Sequence, residues 1–84
     1  MAKLNIEIIS PEGVIFNKSC HMAVVPSKEG EIGFMYGHES VVASLQEGKI
    51  SIYENQNDVS KTFDVKEGFA EIQDGSKLII LIDS

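Results

Sequence analysis

A nucleophile needs a base within hydrogen-bond reach, and the nearest approach to such a pair in this chain is Cys20 beside His21. Neighbours on a strand point to opposite faces, so the two side chains diverge and read as a small core residue beside a surface imidazole. The two histidines, His21 and His38, stand seventeen residues apart with no second cysteine and no His-x-x-x-His, which gives no metal-ligand spacing. Gly30, Gly33 and Gly37 fall as G-x-x-G-x-x-x-G. That matches neither the dinucleotide nor the P-loop pattern, and no helix follows to cradle a phosphate. Glu29 and Glu31 would serve as an acid/base pair only in a cleft that raised a carboxyl pKa; on an exposed loop they are solvated. No catalytic, cofactor-binding or metal residue is expected.

Recognition is the chemistry that remains, and it centres on Val24 to Glu39. Three glycines within eight residues mark positions that need positive φ or close backbone approach. Lys28, Glu29 and Glu31 are charges on that turned backbone. Phe34, Met35 and Tyr36 either fill the end of the fold or form the apolar centre of an interface, where aromatics and methionine are enriched. His38 either caps its own turn or meets a partner.

The elements that carry this stretch are strands. Leu4, Ile6 and Ile8 alternate with Asn5 and Glu7, the period of a half-buried strand. Ser10-Pro11-Glu12-Gly13 suits a tight turn, Val14 to Phe16 a short second strand, and Cys20 to Val25 a third that Pro26 ends. Glu31 to Met35 is a brief strand. His38 to Gln46 is ambiguous: Val41, Val42 and Leu45 fit a helical face, but the surrounding strands and the Glu47-Gly48 turn favour β. Lys49 to Glu54 puts Ile50 and Ile52 inward. After the polar loop Asn55 to Asp58, Val59 to Val65 puts Phe63 and Val65 inside and Lys61 and Asp64 outside. Lys66-Glu67-Gly68 bends the chain before Phe69 to Ile72. Asp74-Gly75 is a type I′ hairpin signal, and the apolar run Lys77 to Asp83 reads as a central strand. Turns every eight to twelve residues and no committed helix imply one small all-β, antiparallel sandwich or barrel over residues 1–84, without internal repeats.

Bulk composition narrows the partners. At 84 residues, 43% apolar and 24% charged, the chain is globular and near the lower size limit for folding alone. Thirteen acidic against seven basic residues give a net charge of −6, and arginine is absent, which disfavours nucleic acid. One cysteine excludes an internal disulfide and favours a reducing compartment. No basic-then-apolar leader opens the sequence, and the longest apolar run, Leu78 to Ile82, is far too short to span a bilayer, so no direct membrane insertion is expected.

Val25, Pro26, Gly30, Glu31, Gly33, Gly37 and His38 spell Val-Pro-x-x-x-Gly-Glu-x-Gly-x-x-x-Gly-His. This block resembles the signature of the epsilon subunit of F-type ATP synthases, the counterpart of the mitochondrial delta subunit. Ser-Pro-Glu-Gly, Val-Ile-Phe, Gly68-Phe-Ala-Glu-Ile72 and the closing Leu-Ile-Ile-Leu-Ile-Asp agree with it across the chain. Ser27, Tyr36, Glu39-Ser40 and Glu67 depart from it, standing where the family usually has Gly, Pro, Ala-Pro and Gly.

The resemblance implies a flattened sandwich of two sheets of about five strands each. It implies a non-catalytic place in the rotor's central stalk, between the gamma subunit and the c-ring, on the cytoplasmic face of a bacterial inner membrane or the equivalent organelle face. Glu29, Gly30, Glu31 and Gly33 would meet the c subunits; Ser10, His38, Val42 and Ala43 would lie towards gamma. The family's C-terminal helical hairpin has no counterpart in these residues, so coupling without hairpin-mediated inhibition is expected. The other reading is a free-standing β-sandwich that binds a ligand or peptide. The absence of Trp and the presence of only two Tyr weigh against a sugar ligand.

Overall fold

Burial alternates with period two along most strands of the computed structural model, which describes residues 3–83. Nine strands occur in chain order: β1 (Leu4–Ser10), β2 (Gly13–Cys20), β3 (Met22–Ser27), β4 (Gly30–Met35), β5 (Val41–Leu45), β6 (Gly48–Tyr53), β7 (Val59–Val65), β8 (Glu67–Gln73) and β9 (Lys77–Asp83). Among the described residues there is no helix, and the ambiguous segment resolves to β5.

The strands form one continuous curled sheet that folds into two layers. β2-β1-β9-β8-β5 make a five-stranded layer, and β4-β3-β6-β7 a four-stranded one. They join where Ser27 of β3 pairs with Leu45 of β5. Leu4, Ile6 and Ile8 from β1, Ile50 and Ile52 from β6, and Leu78, Ile80 and Ile82 from β9 fill the space between layers. Burying such side chains supplies about 1.5–3 kcal/mol each before entropy is subtracted.

The ends of the chain pair with each other. β1 and β9 run parallel, Ile6 beside Leu78 and Ile8 beside Ile80, in a sheet otherwise antiparallel. A parallel pair needs a long connection, and the whole of the intervening chain provides it.

Several boundaries differ from the sequence reading. β2 continues past Phe16 to Cys20, and the break falls at His21. Because β2 is an edge strand with much of its surface in water, Asn17, Lys18 and Ser19 sit in it without penalty and hide the strand. Pro26 lies inside β3 rather than ending it, paired with Glu31. Its N–H-less nitrogen falls where β3 passes from pairing with β6 to pairing with β5, and its carbonyl accepts a 2.9 Å bond from Gln46 N. Lys61 shares the register of Phe63 and Val65 instead of opposing it, and lays its ammonium 6.0 and 5.6 Å from the Phe16 and Phe63 ring centres. Gly33 has no positive φ; it sits in mid-strand opposite Val24. β9 is central, yet only one of its faces is buried, and Leu81 remains 48% exposed.

Candidate interaction site

The Gly-Glu turn is built by Ser27. Its hydroxyl accepts a 3.1 Å bond from Glu29 N and donates a 2.5 Å bond to Gly30 O, and Gly30 takes φ +120°. Side chains rarely adopt that φ, so glycine is required there to bring the chain back into β4. Ser27 is buried, which anchors the turn, while Lys28, Glu29, Gly30 and Glu31 all stand in solvent.

The same device occurs a second time. Ser10 Oγ accepts from Glu12 N at 3.2 Å and donates to Gly13 O at 3.3 Å, with Gly13 at φ +121°. Ser10-Pro-Glu-Gly13 and Ser27-Lys-Glu-Gly30 are therefore one S-x-E-G turn used twice. The motif was visible in the sequence and its repetition was missed, as was Glu12. Register carries Ser27 through Leu45, Gly68 and Ile82 to the level of Ser10, so both turns lie at one end of the sandwich. Four strand spacings of about 4.8 Å separate them along the curled sheet.

Glu29, Ile32, Val42 and Ala43 line one cleft of about 340 Å³ between the β3–β4 turn and β5. The structure thus brings together residues expected on two different sides. Val42 points outward at 62% exposure, whereas Ala43 faces the core. His38 is elsewhere. Gly37 N bonds to Gly75 O (2.6 Å) in the β8–β9 turn, which places His38 at the end of the sandwich opposite Ser10. Its Nδ1–H donates to its neighbour's carbonyl, Glu39 O, at 2.7 Å, and its ring meets the buried Phe34 edge-on at 5.0 Å. Phe34 fills the core, while Met35 and Tyr36 are exposed.

Cys20 is buried and faces Leu4. Burial pushes its thiol up to about 11; Lys3 opposes that rise and Glu54 adds to it. A thiol held protonated is a poor nucleophile. Among the described residues no group of three or more His, Cys, Asp or Glu side chains is placed to hold a metal, and no helix is long and apolar enough to cross a membrane.

Comparison with known proteins assigns the fold. The family described as ATP synthase, Delta/Epsilon chain, beta-sandwich domain matches residues 3–84. The chain belongs to this family. The ATP synthase epsilon chain of Campylobacter fetus is 37% identical over 83 residues, covering 99% of this chain and 63% of the relative. That of Granulibacter bethesdensis is 42% identical over 72 residues, covering 86% and 53%. This delta/epsilon chain therefore spans less than two thirds of the length of either relative. A chain of the Euglena gracilis mitochondrial ATP synthase, solved with its c-ring, superposes with a TM-score of 0.87 at 20% identity. It covers 98% of this chain and 51% of that one. A chain of the Tetrahymena thermophila central stalk and c-ring gives 0.81 at 14% identity, covering 98% and 64%. At those identities the likeness is one of fold, and it is the β-sandwich that is shared.

Proposed function

We propose that this domain is a non-catalytic part of the central stalk of an F-type ATP synthase, held between the gamma subunit and the c-ring. Its task there is to couple ion translocation to ATP synthesis. The observation that carries the reading is family membership across residues 3–84, together with an anchored Gly-Glu turn that stands free in solvent. Glu29, Gly30, Glu31 and Gly33 are the c-ring-facing set, with Glu31 pairing with a basic group. Ser10, His38, Val42 and Ala43 are the gamma-facing set. Ser10 and His38 lie at opposite ends of the sandwich, so gamma would have to run along its length to meet both.

The mechanism is mechanical. A sandwich filled with side chains resists shear because sliding one layer over the other would break close packing. The serine-anchored turns give it stiff corners. Such a body transmits torque between two neighbours without dissipating it, at the cytoplasmic face of a bacterial inner membrane or the equivalent organelle face.

Co-purification tests the proposal. The tagged chain should capture gamma and the c-ring from solubilised membranes, and Glu29→Ala/Glu31→Ala should release the ring while keeping gamma. Recovery of neither subunit, alongside binding to a glycan or peptide array, would favour a free-standing binding module instead.

A further inference from the structure

The path of strands through the sheet begins at β2 and ends at β7, so each has a hydrogen-bonded neighbour on one side only. The two meet across the sandwich through side chains. The Phe16 and Phe63 rings pack edge to face with centres 5.3 Å apart, and the Lys61 ammonium lies over both. One side of the domain is therefore a seam between two free backbone edges. Unpaired N–H and C=O groups on such an edge are a template for another strand.

Register shows what an added strand would meet on β2. A bulge leaves Ile15 unmatched between Phe16, opposite Ile8, and Val14, opposite Ile9, so the regular edge runs from Phe16 to Cys20. Cys20, Lys18 and Phe16 pair with the buried Leu4, Ile6 and Ile8 and so share the core-facing side of β2. Asn17 and Ser19 lie on its other side. Lys61, opposite the buried Ile52, has the same inward sense on β7. Two lysines thus turn toward the mouth of the seam, both exposed, and among the described residues neither has an ion pair. Carboxylates are scarce here, although the chain carries thirteen acidic residues. β2 has none, and the one in β7, Asp64, is held by Lys49 at 2.7 Å.

Inward-pointing charge on an edge strand discourages indiscriminate pairing. It also discriminates between partners. A second copy aligned over Phe16 to Cys20 would set Lys18 against Lys18, and like charges directly opposite each other are destabilising. An acidic residue in that place pairs with the lysine instead. We propose that the β2 edge takes up an extended acidic segment of a partner protein, added antiparallel as a further strand. Its pattern follows from the register: a carboxylate opposite Lys18, apolar residues two positions away on either side, opposite Phe16 and Cys20, and polar residues between them. The apolar residue opposite Phe16 would cover the Phe16–Phe63 pair, which is only partly buried. Main-chain bonds supply the affinity of such a strand and the alternate side chains its specificity. The edge contains none of the residues assigned to gamma or the c-ring, so the inference stands whether or not the stalk reading does.

The test uses the whole chain and a fluorescent synthetic peptide containing Val-Thr-Glu-Thr-Val, beside the same peptide with Lys in place of Glu. Fluorescence anisotropy should show the glutamate peptide binding at least about tenfold more tightly, a difference of about 1.4 kcal/mol. Lys18→Glu should reverse the preference, so that the lysine peptide becomes the tighter ligand. Lys66→Glu, at an exposed position in the β7–β8 bend, should leave the preference in place. N-methylation of two successive peptide residues removes strand hydrogen bonds and should abolish binding, and amide shifts should map to Phe16 to Cys20. Equal binding of the two peptides overturns the proposal, as does undiminished binding of the N-methylated one. So does an effect of Lys66→Glu as large as that of Lys18→Glu, or no saturation by about 1 mM peptide. If the chain alone dimerises through β2, a second copy is the occupant and the acidic-strand proposal fails.

Discussion

Replacing Gly68 by alanine adds a methyl group where two strands leave no room. Gly68 pairs with Leu45 of β5 on one side and Ile82 of β9 on the other. A Cβ at this position would run into the Leu81 carbonyl oxygen and stand 3.0 Å from Ile82 Cα and 3.1 Å from the Leu81 carbonyl carbon. These are backbone atoms, so no rotamer change relieves the overlap, and β8 must move away from β9. Overpacking costs about 1–3 kcal/mol. Opening the last rungs of the ladder gives up two hydrogen bonds at about 1 kcal/mol net each. The total, about 3–5 kcal/mol, is a large share of the roughly 4–13 kcal/mol expected of a domain this size. Thermal unfolding followed by circular dichroism should therefore show Tm lowered by at least about 12 °C. Gly33→Ala is the control, since its nearest atom is the flexible Met22 sulfur at 3.4 Å. Its cost should stay below about 1 kcal/mol. A Gly68→Ala protein as stable as Gly33→Ala would refute the steric argument.

Glu29→Ala/Glu31→Ala should shift urea unfolding by less than about 0.5 kcal/mol, because both side chains are exposed, while removing the c-ring from the co-purified complex. Ile6→Ala, in the middle of the core, should cost about 2–5 kcal/mol by the same assay. The folded Cys20 thiol titrates near 11 against an ordinary 9.0, so the native state keeps its proton after the unfolded chain has lost it. Stability should hold below the ordinary value and fall as pH rises from about 9 to about 11, by at most about 1.4 kcal/mol per pH unit; Cys20→Ala should level that decline.

Local chemistry was legible in the residues themselves. Alternation named Leu4, Ile6, Ile8, Ile50 and Ile52 as core, and each is fully buried. Asp74-Gly75 called for a type I′ turn; both residues have positive φ, and Ser76 N closes it on Gln73 O. The Gly-Glu corner was legible as an exposed turn, and its glycine-dependent φ is present at Gly30. Period-two burial and turn φ depend on a few consecutive residues, so a sequence states them directly.

What the sequence left open was every relation between distant segments. The parallel pairing of β1 with β9, the corner at Ser27 and Leu45, and the separation of Ser10 from His38 each join residues far apart in the chain. No short stretch encodes such contacts, because pairing is decided by which strands together exclude water, and that is a property of the folded sandwich. Polar Asn17 to Ser19 belong to a strand only because β2 ends the sheet. Leu81 and Phe69 make an outward row only because β1, β9 and β8 align them. Tertiary structure alone turned an unremarkable apolar run into a surface.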